Sequence, residues 1–418
     1  MNYKKLFTTA LLAIALQTSA QEQLYVGGDI SLLPTYEEHG ANYMDKEGQK
    51  ITDLLSFLKE QGMNAMRVRL FVDPSRASAE HKGQGVRQDL DYVKKLGKKI
   101  KDAGLKLMLD FHYSDTWADP GHQATPYLFI SVNTPATSYI YTYTKDCLEQ
   151  MKAVGATPDF IQTGNEISWG MMYDVGCKLE AKSDWSGYKD TNWDNFSTAL
   201  KNAGKACREV CPEAKIIIHT EQVGNTPLVT DYYKRLQQYD IDYDIIGTSY
   251  YPYYHGNLTQ LNKTLTAFET QFPSKKIMVV ETGCSYREKV GDNNQGYPLT
   301  YEGQRQFTAD LITTLKSHQN VNGLFWWFPE ANEYGLNWYT ERVTDGWYNA
   351  GLFDNKTGQA LPALYELKNF SGGSTRLSYV TLNGTDDDYW YTISGIRSIS
   401  VPSKPGLFIH NGQKVTIR

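Results

Sequence analysis

The chain has 418 residues, of which 41% are hydrophobic and 21% charged, a composition that excludes disordered and fibrous proteins. The formal net charge is −5, and no stripe of Lys and Arg is long enough to follow a phosphate backbone, which argues against nucleic acid as a partner. The 30 Tyr and 9 Trp supply many flat amphipathic rings, and composition alone does not say whether these rings edge the core or line a cleft for a neutral ligand.

The first twenty residues have the pattern of a secretory signal peptide. Lys4 and Lys5 precede an apolar stretch over residues 6–16 that is too short to span a bilayer, and small residues lead up to Ala20. We therefore predict cleavage before Gln21 and export to the periplasm, the cell surface or the medium. No Cys lies near that junction and no later run has 18 apolar residues, so neither a lipid anchor nor a transmembrane segment is expected.

Eight apolar runs of strand length follow in chain order, and the segments between them have a helical pattern. Leu90, Val93, Leu96 and Ile100 recur at helical spacing before the stop signal Gly104, and a similar helix is expected from residues 52–53 to about residue 62. Such alternation predicts a (β/α)8 TIM barrel over residues 21–370. The runs are residues 24–29, 64–72, 105–112, 159–165, 214–219, 243–251, 276–281 and 321–328.

A change of pattern after Phe370 predicts a small β-rich C-terminal segment over residues 371–418. Gly372 and Gly373 form a break, and the runs that follow alternate without helical period. These runs are residues 377–382, 389–393, 396–401 and 407–417. Five Cys are present, so at least one thiol stays free unless it pairs between chains, and a bridge between Cys207 and Cys211 on one helix would be strained.

The catalytic groups of such barrels come from the C-terminal ends of the strands. Two glutamates, Glu166 and Glu281, stand out at the ends of the fourth and seventh runs, where a carboxylate is costly unless it is hydrogen-bonded or functional. Two facing carboxylates suit cleavage of a glycosidic bond: one protonates the leaving oxygen, and the other attacks the anomeric carbon or activates water. The remaining strand-end residues are Asp29, Arg69, Asp110, His112, Asn165, His219, Tyr250, Tyr251, Trp326 and Trp327.

Each of these residues alone has an ordinary structural explanation, and it is the full set that favours catalysis. Glu281 before Thr-Gly suits a helix cap, and Arg69 suits a structural ion pair. Other chemistries have weaker support. The third run offers one His where a metal-dependent hydrolase wants His-x-His, and the chain lacks the glycine pattern of a dinucleotide or phosphate loop and a Gly-x-Ser-x-Gly elbow.

Seven motifs of the chain together resemble glycoside hydrolase family 53, the endo-β-1,4-galactanases, over residues 24 to 370. The third motif is long and specific, whereas the Asn-Glu and Glu-Thr pieces occur in many retaining barrel glycosidases. The motifs are residues 28–31 (GDIS), 67–74 (RVRLFVDP), 109–123 (LDFHYSDTWADPGHQ), 164–167 (GNEI), 249–252 (SYYP), 280–282 (VET) and 325–329 (FWWFP).

The resemblance implies a retaining mechanism on β-1,4-linked galactose chains, such as those of pectin, with Glu166 as acid/base and Glu281 as nucleophile. A retaining mechanism predicts carboxyl groups about 5–5.5 Å apart. By the same resemblance Asn165 binds the 2-hydroxyl of the cleaved sugar, and Arg69 with Tyr250 or Tyr251 holds Glu281 ionised. Asp29, His112, Trp117 and Trp327 are expected to line the pocket of that sugar.

The chain departs from the family pattern in two loops. Phe328 follows the strand-eight Trp where relatives often carry Glu, and residues 330–334 replace a Trp-containing segment, which leaves the product length open. Some bacterial relatives bind calcium after strand seven, but residues 290–296 lack the alternating acidic ligands that calcium prefers. We therefore expect no cofactor, and calcium is not favoured.

Two other functions stay open: a non-catalytic galactan-binding barrel, and a related barrel glycosidase acting on xylan or mannan. The paired glutamates argue against the first and the strand-three motif against the second. A monomer is expected, with polysaccharide as its partner. Residues 404–415 resemble the short C-terminal β segments of exported bacterial proteins, where they either direct sorting or form a hairpin.

Overall fold

The structure is a computed structural model that describes residues 23–288, 294–337 and 339–372, together with 390–392, 397–398, 406–410 and 413–417. The chain divides into two compact units, Met1–Gly373 and Ser374–Arg418. The predicted signal peptide over residues 1–20 and the predicted run 377–382 lie outside the described residues, as does most of the loop 290–296.

Eight parallel strands close into one barrel in the order of the chain, which confirms the predicted fold. Each strand lies inside its predicted run or within one residue of it. The strands are β1 (Tyr25–Asp29), β2 (Ala65–Leu70), β3 (Lys106–Phe111), β4 (Phe160–Thr163), β5 (Lys215–Thr220), β6 (Ile245–Tyr250), β7 (Lys276–Thr282) and β8 (Val321–Trp327).

At least one helix follows every barrel strand. The helices are α1 (Leu33–His39), α2 (Leu54–Glu60), α3 (Ala79–Gly83), α4 (Leu90–Asp102), α5 (Tyr127–Ser131), α6 (Ala136–Ala153), α7 (Trp193–Val210), α8 (Thr226–Gln238), α9 (Leu258–Gln271), α10 (Tyr301–Lys316) and α11 (Pro362–Ser371).

The helix α4 shows how the predicted pattern forms its helix. The Asp89 side chain accepts a hydrogen bond from the Tyr92 amide and so caps the first turn. Val93, Leu96 and Ile100 are buried on one face, as their spacing predicts. Gly104 follows the helix with φ +72°, a left-handed conformation that glycine adopts without strain.

Side chains of the barrel strands point alternately inward and outward, and this alternation decides which residues reach the site. The barrel interior holds an apolar cluster from strands β2 to β8, against which Tyr25 of β1 packs. Its residues are Ala65, Met108, Phe160, Ile217, Ile245, Met278, Val280 and Phe325. Counting in twos from Ile245 along β6 places Ser249 and Tyr251 on the inner side. Tyr250 then faces the helices, where its ring stacks 6.3 Å from Phe307 of α10.

An irregularity in β7 interrupts this alternation. Thr248 of β6 pairs with Val279, but the next residue, Ser249, pairs with Glu281, so the register skips Val280. The pairing of β7 with β8 shifts between Val279 and Thr282 as well. Val280 lies in the interior cluster, and the β-bulge lets its neighbour Glu281 face the barrel interior too.

The C-terminal unit contains a four-stranded antiparallel sheet, in agreement with the predicted β-rich segment. Its strands are β9 (Trp390–Thr392), β10 (Arg397–Ser398), β11 (Gly406–His410) and β12 (Gln413–Ile417), in the order β10-β9-β11-β12. The predicted single run over residues 407–417 is two strands, because β11 pairs antiparallel with β12. The rings of Trp390 and His410 stack with centroids 4.2 Å apart.

All five cysteines carry free, buried thiols, so the structure contains no bridge between Cys207 and Cys211. Within the described ranges, we find no helix that is both long enough and apolar enough to cross a membrane.

Candidate active site

The first predicted carboxylate, Glu166, sits on a tight turn that follows β4. Gly164 has φ +102°, and a Cβ there would lie 2.8 Å from the Ile167 side chain, so only glycine fits. Glu166 itself adopts a left-handed conformation with φ +49°, which is strained for a residue with a side chain. The turn places the Glu166 carboxylate at the barrel mouth, where Oε1 lies 2.6 Å from Ser249 Oγ.

The second predicted carboxylate, Glu281, lies at the bulge, one residue before the end of β7, and is 5% exposed. The Tyr251 hydroxyl donates a hydrogen bond of 3.0 Å to Glu281 Oε2. A guanidinium nitrogen of Arg67 lies 2.9 Å from Glu281 Oε1 and neutralises its charge. This carboxylate is therefore held by one hydroxyl donor and one cation, both of which favour its ionised form.

Arg67, rather than Arg69, is the arginine that holds Glu281 in the structure. Its guanidinium is fully buried and donates to Asp29 and Asp110 at 2.7 Å each and to Asn165 at 2.8 Å. Both arginines face inward from β2, but Arg67 lies one layer deeper, directly beneath the carboxylates. The expectation that Arg69 holds Glu281 is wrong, because Arg67 pairs with Glu281 whereas the ion pair of Arg69 is with Asp29, at 3.3 Å.

Hydrogen bonds from both its side chain and its backbone fix Asn165 beside Glu166. Its side-chain oxygen accepts from Arg67, and its amide donates to the Ala118 carbonyl at 2.7 Å. The backbone carbonyl of Asn165 accepts from the Gln123 side chain at 2.8 Å. Ala118 and Gln123 belong to the long strand-three motif, so that motif supports the turn that carries Glu166.

The two glutamates differ in their electrostatic surroundings. Removal from water raises the pKa of Glu166 well above its usual range, and the nearby carboxylates of Glu281 and Glu221 raise it further. Burial also raises the pKa of Glu281, to about 7, but the Arg67 cation opposes this effect. Glu281 therefore ionises before Glu166, so the pair has one carboxylate and one carboxylic acid available near neutral pH.

Aromatic rings and Arg69 line an open cleft of about 510 Å³ above the glutamates. The Arg69 guanidinium lies 4.6 Å from the Trp327 ring and 5.0 Å from the Phe328 ring. The predicted Trp117, Trp327 and Tyr251 all line this cleft. Residues that the sequence analysis did not assign to the site also line it: Glu221, Tyr254, His255 and Trp347.

Two predicted binding residues do not line the cleft. Tyr250 faces outward and donates to the Gly256 carbonyl, so of the two neighbouring tyrosines it is Tyr251 that lines the cleft. Asp29 is fully buried beneath the cleft, where its carboxylate is occupied by Arg67 and the Ser31 amide. Asp29 therefore affects the site only indirectly, by holding the Arg67 guanidinium in place.

His112 does line the cleft and has a defined protonation state. Its Nδ1 accepts from the Ala118 amide at 2.8 Å, so the ring hydrogen lies on Nε2, which is 2.8 Å from Asp110 Oδ2. Burial lowers the pKa of His112, and the imidazole is neutral. The ring can therefore present an apolar edge to a ligand without adding charge.

The part of the chain that the structure describes contains no group of three or more His, Cys, Asp or Glu side chains that could hold a metal ion. Most of the loop 290–296, the segment compared with calcium-binding relatives, is not among the described residues.

Comparison with known proteins gives consistent matches along the barrel. Glycosyl hydrolase family 53 matches residues 25–367. The arabinogalactan endo-β-1,4-galactanase of Humicola insolens is 30% identical over 318 residues, which are 73% of this chain and 89% of that protein. The endo-β-1,4-galactanase of Bacillus subtilis is 27% identical over 381 residues, 81% of this chain and 84% of that protein. The solved family 53 catalytic domain of Ignisphaera aggregans gives a TM-score of 0.72 at 30% identity, covering 84% of this chain and 97% of that domain.

Proposed function

The chain belongs to glycosyl hydrolase family 53, and on that basis we propose that it is a retaining endo-β-1,4-galactanase. The observation that carries this proposal is the contrast between Glu166 and Glu281 at the mouth of one barrel. Glu281 has a cation and a hydroxyl donor, whereas Glu166 has a serine hydroxyl and two carboxylates as its neighbours. This contrast gives the nucleophile and the acid/base that double displacement needs.

In the first step, the Glu281 carboxylate attacks the anomeric carbon and the Glu166 acid gives its proton to the glycosidic oxygen. The bond between that oxygen and the anomeric carbon breaks, and the leaving chain departs with a new hydroxyl. Arg67 and Tyr251 hold Glu281 in place for the attack. The product of this step is a glycosyl ester on Glu281.

In the second step, Glu166 is a carboxylate and takes a proton from water. The water oxygen attacks the anomeric carbon and releases Glu281, so the sugar regains its β configuration. Glu166 must therefore be stable both with and without its proton.

Unpartnered polar atoms around the cleft support a hydroxyl-rich ligand. Arg69 Nη2, Trp117 Nε1 and Glu221 Oε2 are buried and lack hydrogen-bond partners within the described structure. Sugar hydroxyls can satisfy both the donors and the acceptor, and the Trp327 ring offers an apolar face to a pyranose. Asn165, beside Glu166, is the residue we assign to the 2-hydroxyl of the cleaved sugar.

The relatives named as galactanases favour galactan over xylan and mannan as the substrate. The family relationship, the predicted signal peptide and the polysaccharide substrate together favour an exported protein. We propose that it acts without a cofactor.

The decisive experiment measures new reducing ends on unbranched β-1,4-galactan, with xylan and mannan as comparison polymers. We expect rapid release from galactan and a first-formed product of β configuration by proton NMR. A first product of α configuration would refute the retaining mechanism. Binding of galactan without new reducing ends would favour a non-catalytic barrel, and faster release from xylan or mannan would refute the substrate.

A further inference from the structure

A third carboxylate, that of Glu221, lies in the cleft beside the two glutamates of the proposed mechanism. Glu221 directly follows β5, is 4% exposed and lines the same cleft as Glu166 and Glu281. Its Oε1 accepts a hydrogen bond of 2.9 Å from the Gln222 side chain, but Oε2 is buried and has no donor within the described structure. The nearby Ser168 hydroxyl accepts from the Glu221 amide at 3.4 Å and makes no hydrogen bond to Oε2. A buried carboxylate oxygen without a donor is costly, so this oxygen is suited to receive a hydroxyl from a bound ligand.

The ring of Tyr254 lies on the same side of the cleft. Tyr254 belongs to the loop after β6, lines the cleft and is 52% exposed. The rings of Tyr253 and Trp347 pack against it with centroids 4.9 and 6.2 Å away, and so support the ring without covering it. A supported aromatic ring that is half open inside a cleft is suited to pack on the apolar face of a sugar.

The order of the strands assigns these two residues to one side of the scissile bond. Going round the barrel, β5 and β6 lie between β4, which precedes Glu166, and β7, which carries Glu281, and the other four strands lie on the opposite side. His112 and Trp327, which we expect around the cleaved sugar, come from β3 and β8 on that opposite side. The sugar beyond the glycosidic oxygen, called the leaving sugar below, therefore lies over the ends of β5 and β6.

Both residues also lie close to the proposed acid/base. Besides burial and the Glu281 charge, the Glu221 charge raises the pKa of Glu166. Besides burial, the Glu166 charge raises the pKa of the Tyr254 hydroxyl. Glu221 and Tyr254 therefore flank the carboxyl that gives its proton to the glycosidic oxygen, and this oxygen departs as a hydroxyl of the leaving sugar.

We propose that Glu221 and Tyr254 bind the leaving sugar, with Glu221 Oε2 accepting from one of its hydroxyls and the Tyr254 ring packing on its apolar face. This inference rests on the proposed function. A second saccharide that occupies the same place after the leaving chain has departed competes with water. Its hydroxyl oxygen attacks the anomeric carbon, the bond to Glu281 breaks, and the hydroxyl proton passes to Glu166. The two residues therefore set how often the enzyme transfers a galactose chain to another saccharide instead of hydrolysing it.

The ratio of transfer to hydrolysis tests this proposal within one reaction. The substrate is dinitrophenyl β-galactobioside, whose leaving group departs without an acid and places no sugar on the leaving side. Methyl β-galactobioside is the added acceptor. The initial rate of phenolate release counts all glycosyl esters formed, and the initial rate of methyl galactotetraoside formation counts the transfers. Because Glu166 is the base in both reactions, a change in its pKa cancels from the ratio.

The variants of Glu221 separate a bound hydroxyl from an effect of charge. In Glu221→Ala we expect the ratio to fall about 10- to 100-fold, because a hydrogen bond to a charged group is lost. Glu221→Asp keeps the charge but withdraws the oxygen by one methylene, so its ratio should fall as well. Asp119→Asn removes another charge that acts on Glu166, but Asp119 Oδ1 is occupied by Gly121 and His122. Its ratio should stay within about 2-fold of the wild type. Unchanged ratios in both Glu221 variants, or an equal fall in Asp119→Asn, would overturn the proposal.

The tyrosine has a matched control outside the cleft. In Tyr254→Ala we expect the ratio to fall about 3- to 10-fold, because the contact of a ring with the sugar is lost. Tyr127 has the same exposure, 50%, but is not among the residues that line the cleft, so Tyr127→Ala should behave as the wild type. Methanol, an acceptor without a sugar ring, should be used equally well by the wild type, Glu221→Ala and Tyr254→Ala. Parallel losses of transfer to methanol and to the saccharide would overturn the proposal.

Failure of this inference and failure of the proposed function give different results. Absence of phenolate release, or products of α configuration, would refute the proposed function. Release with products of β configuration, but with a ratio that does not depend on Glu221 and Tyr254, would refute this inference alone. A wild type that transfers nothing to methyl β-galactobioside would refute it as well.

Discussion

Arg67 and Glu281 form a buried ion pair with 2.9 Å between guanidinium nitrogen and carboxylate oxygen. The same guanidinium donates to Asp29, Asp110 and Asn165, so one side chain links four residues of the barrel mouth. The position of the proposed nucleophile is thus set by a cation that is itself held by two deeper carboxylates.

Replacement of this cation should affect both activity and stability. In Arg67→Lys a single ammonium cannot reach all these partners, and we expect kcat on galactan to fall about 100-fold or more. Buried carboxylates left without a partner should lower the free energy of unfolding by about 3–5 kcal/mol. Arg69→Lys is the matched control, because Arg69 lines the cleft: it should mainly raise KM. Equal effects of the two substitutions would contradict this division of roles.

The adjacent tyrosines provide a second matched pair. Tyr251→Phe removes the hydroxyl that donates to Glu281, so we expect kcat on galactan to fall about 10-fold or more. Tyr250→Phe removes a hydrogen bond to the Gly256 carbonyl on the outer side of β6, so it should cost about 1 kcal/mol of stability with near-normal kcat. Steady-state kinetics and thermal unfolding of both variants distinguish these outcomes, and a reversed pattern would mean that the strand parity is misassigned.

The dependence of kcat/KM on pH should be bell-shaped. Activity rises with pH as Glu281 loses its proton and falls as Glu166 loses its own at higher pH. The Glu221 carboxylate raises the pKa of Glu166, so in Glu221→Gln the falling limb should move to lower pH. A falling limb that stays in place or moves to higher pH in that variant would show that Glu221 does not act on Glu166 through its charge.

Glu330 should make the barrel less stable as the pH rises. Its side chain is fully buried and accepts from the Leu32 amide, and burial raises its pKa to about 8. Between the usual pKa of an unfolded glutamate, about 4.5, and 8 the folded protein holds a proton that the unfolded chain has lost. The stability that Glu330 contributes below this window is therefore lost across it.

In Glu330→Gln this part of the pH dependence should disappear, while the bond from Leu32 is kept. Thermal unfolding midpoints between pH 5 and 9 measure it, and the variant should gain on the wild type toward pH 9. The exposed Glu60→Gln serves as control and should follow the wild-type curve. Parallel curves for Glu330→Gln and the wild type would show that the buried carboxyl does not carry the effect.

The sequence was sufficient to predict the eight barrel strands, because long apolar runs alternating with amphipathic segments leave few other folds. It also predicted Glu166 and Glu281 at the ends of the fourth and seventh strands, because each carboxylate follows a run of apolar or small residues. The sequence analysis does not decide whether Tyr250 or Tyr251 contacts Glu281. Strand alternation counted from the inward-facing Ile245 assigns this contact to Tyr251.

Other features had no accessible signal in the sequence. The side chains of Arg67 and Arg69 point to the same side of β2, because the two residues are two apart on one strand. Only the depth of each side chain in the barrel distinguishes their roles. Trp347 reaches the cleft from a long loop after β8, which follows no period. The sequence gives no sign of the bulge in β7 either, because residues 276–281 have the apolar pattern of an ordinary buried strand.

That bulge has a consequence for engineering the barrel. In a regular strand, a residue next to an inward-facing core residue would point at the helices, and Val280 would exclude Glu281 from the mouth. Copying the sequence of β7 onto an idealised strand that keeps every residue in regular alternation would therefore send the carboxylate outward, whereas deleting Val280, the residue that the register skips, would leave the carboxylate opposite the inward-facing Ser249. The chemistry thus depends on the number of residues in β7 as much as on their identity, and a redesign that regularises the strand keeps the nucleophile only if it also removes the extra residue.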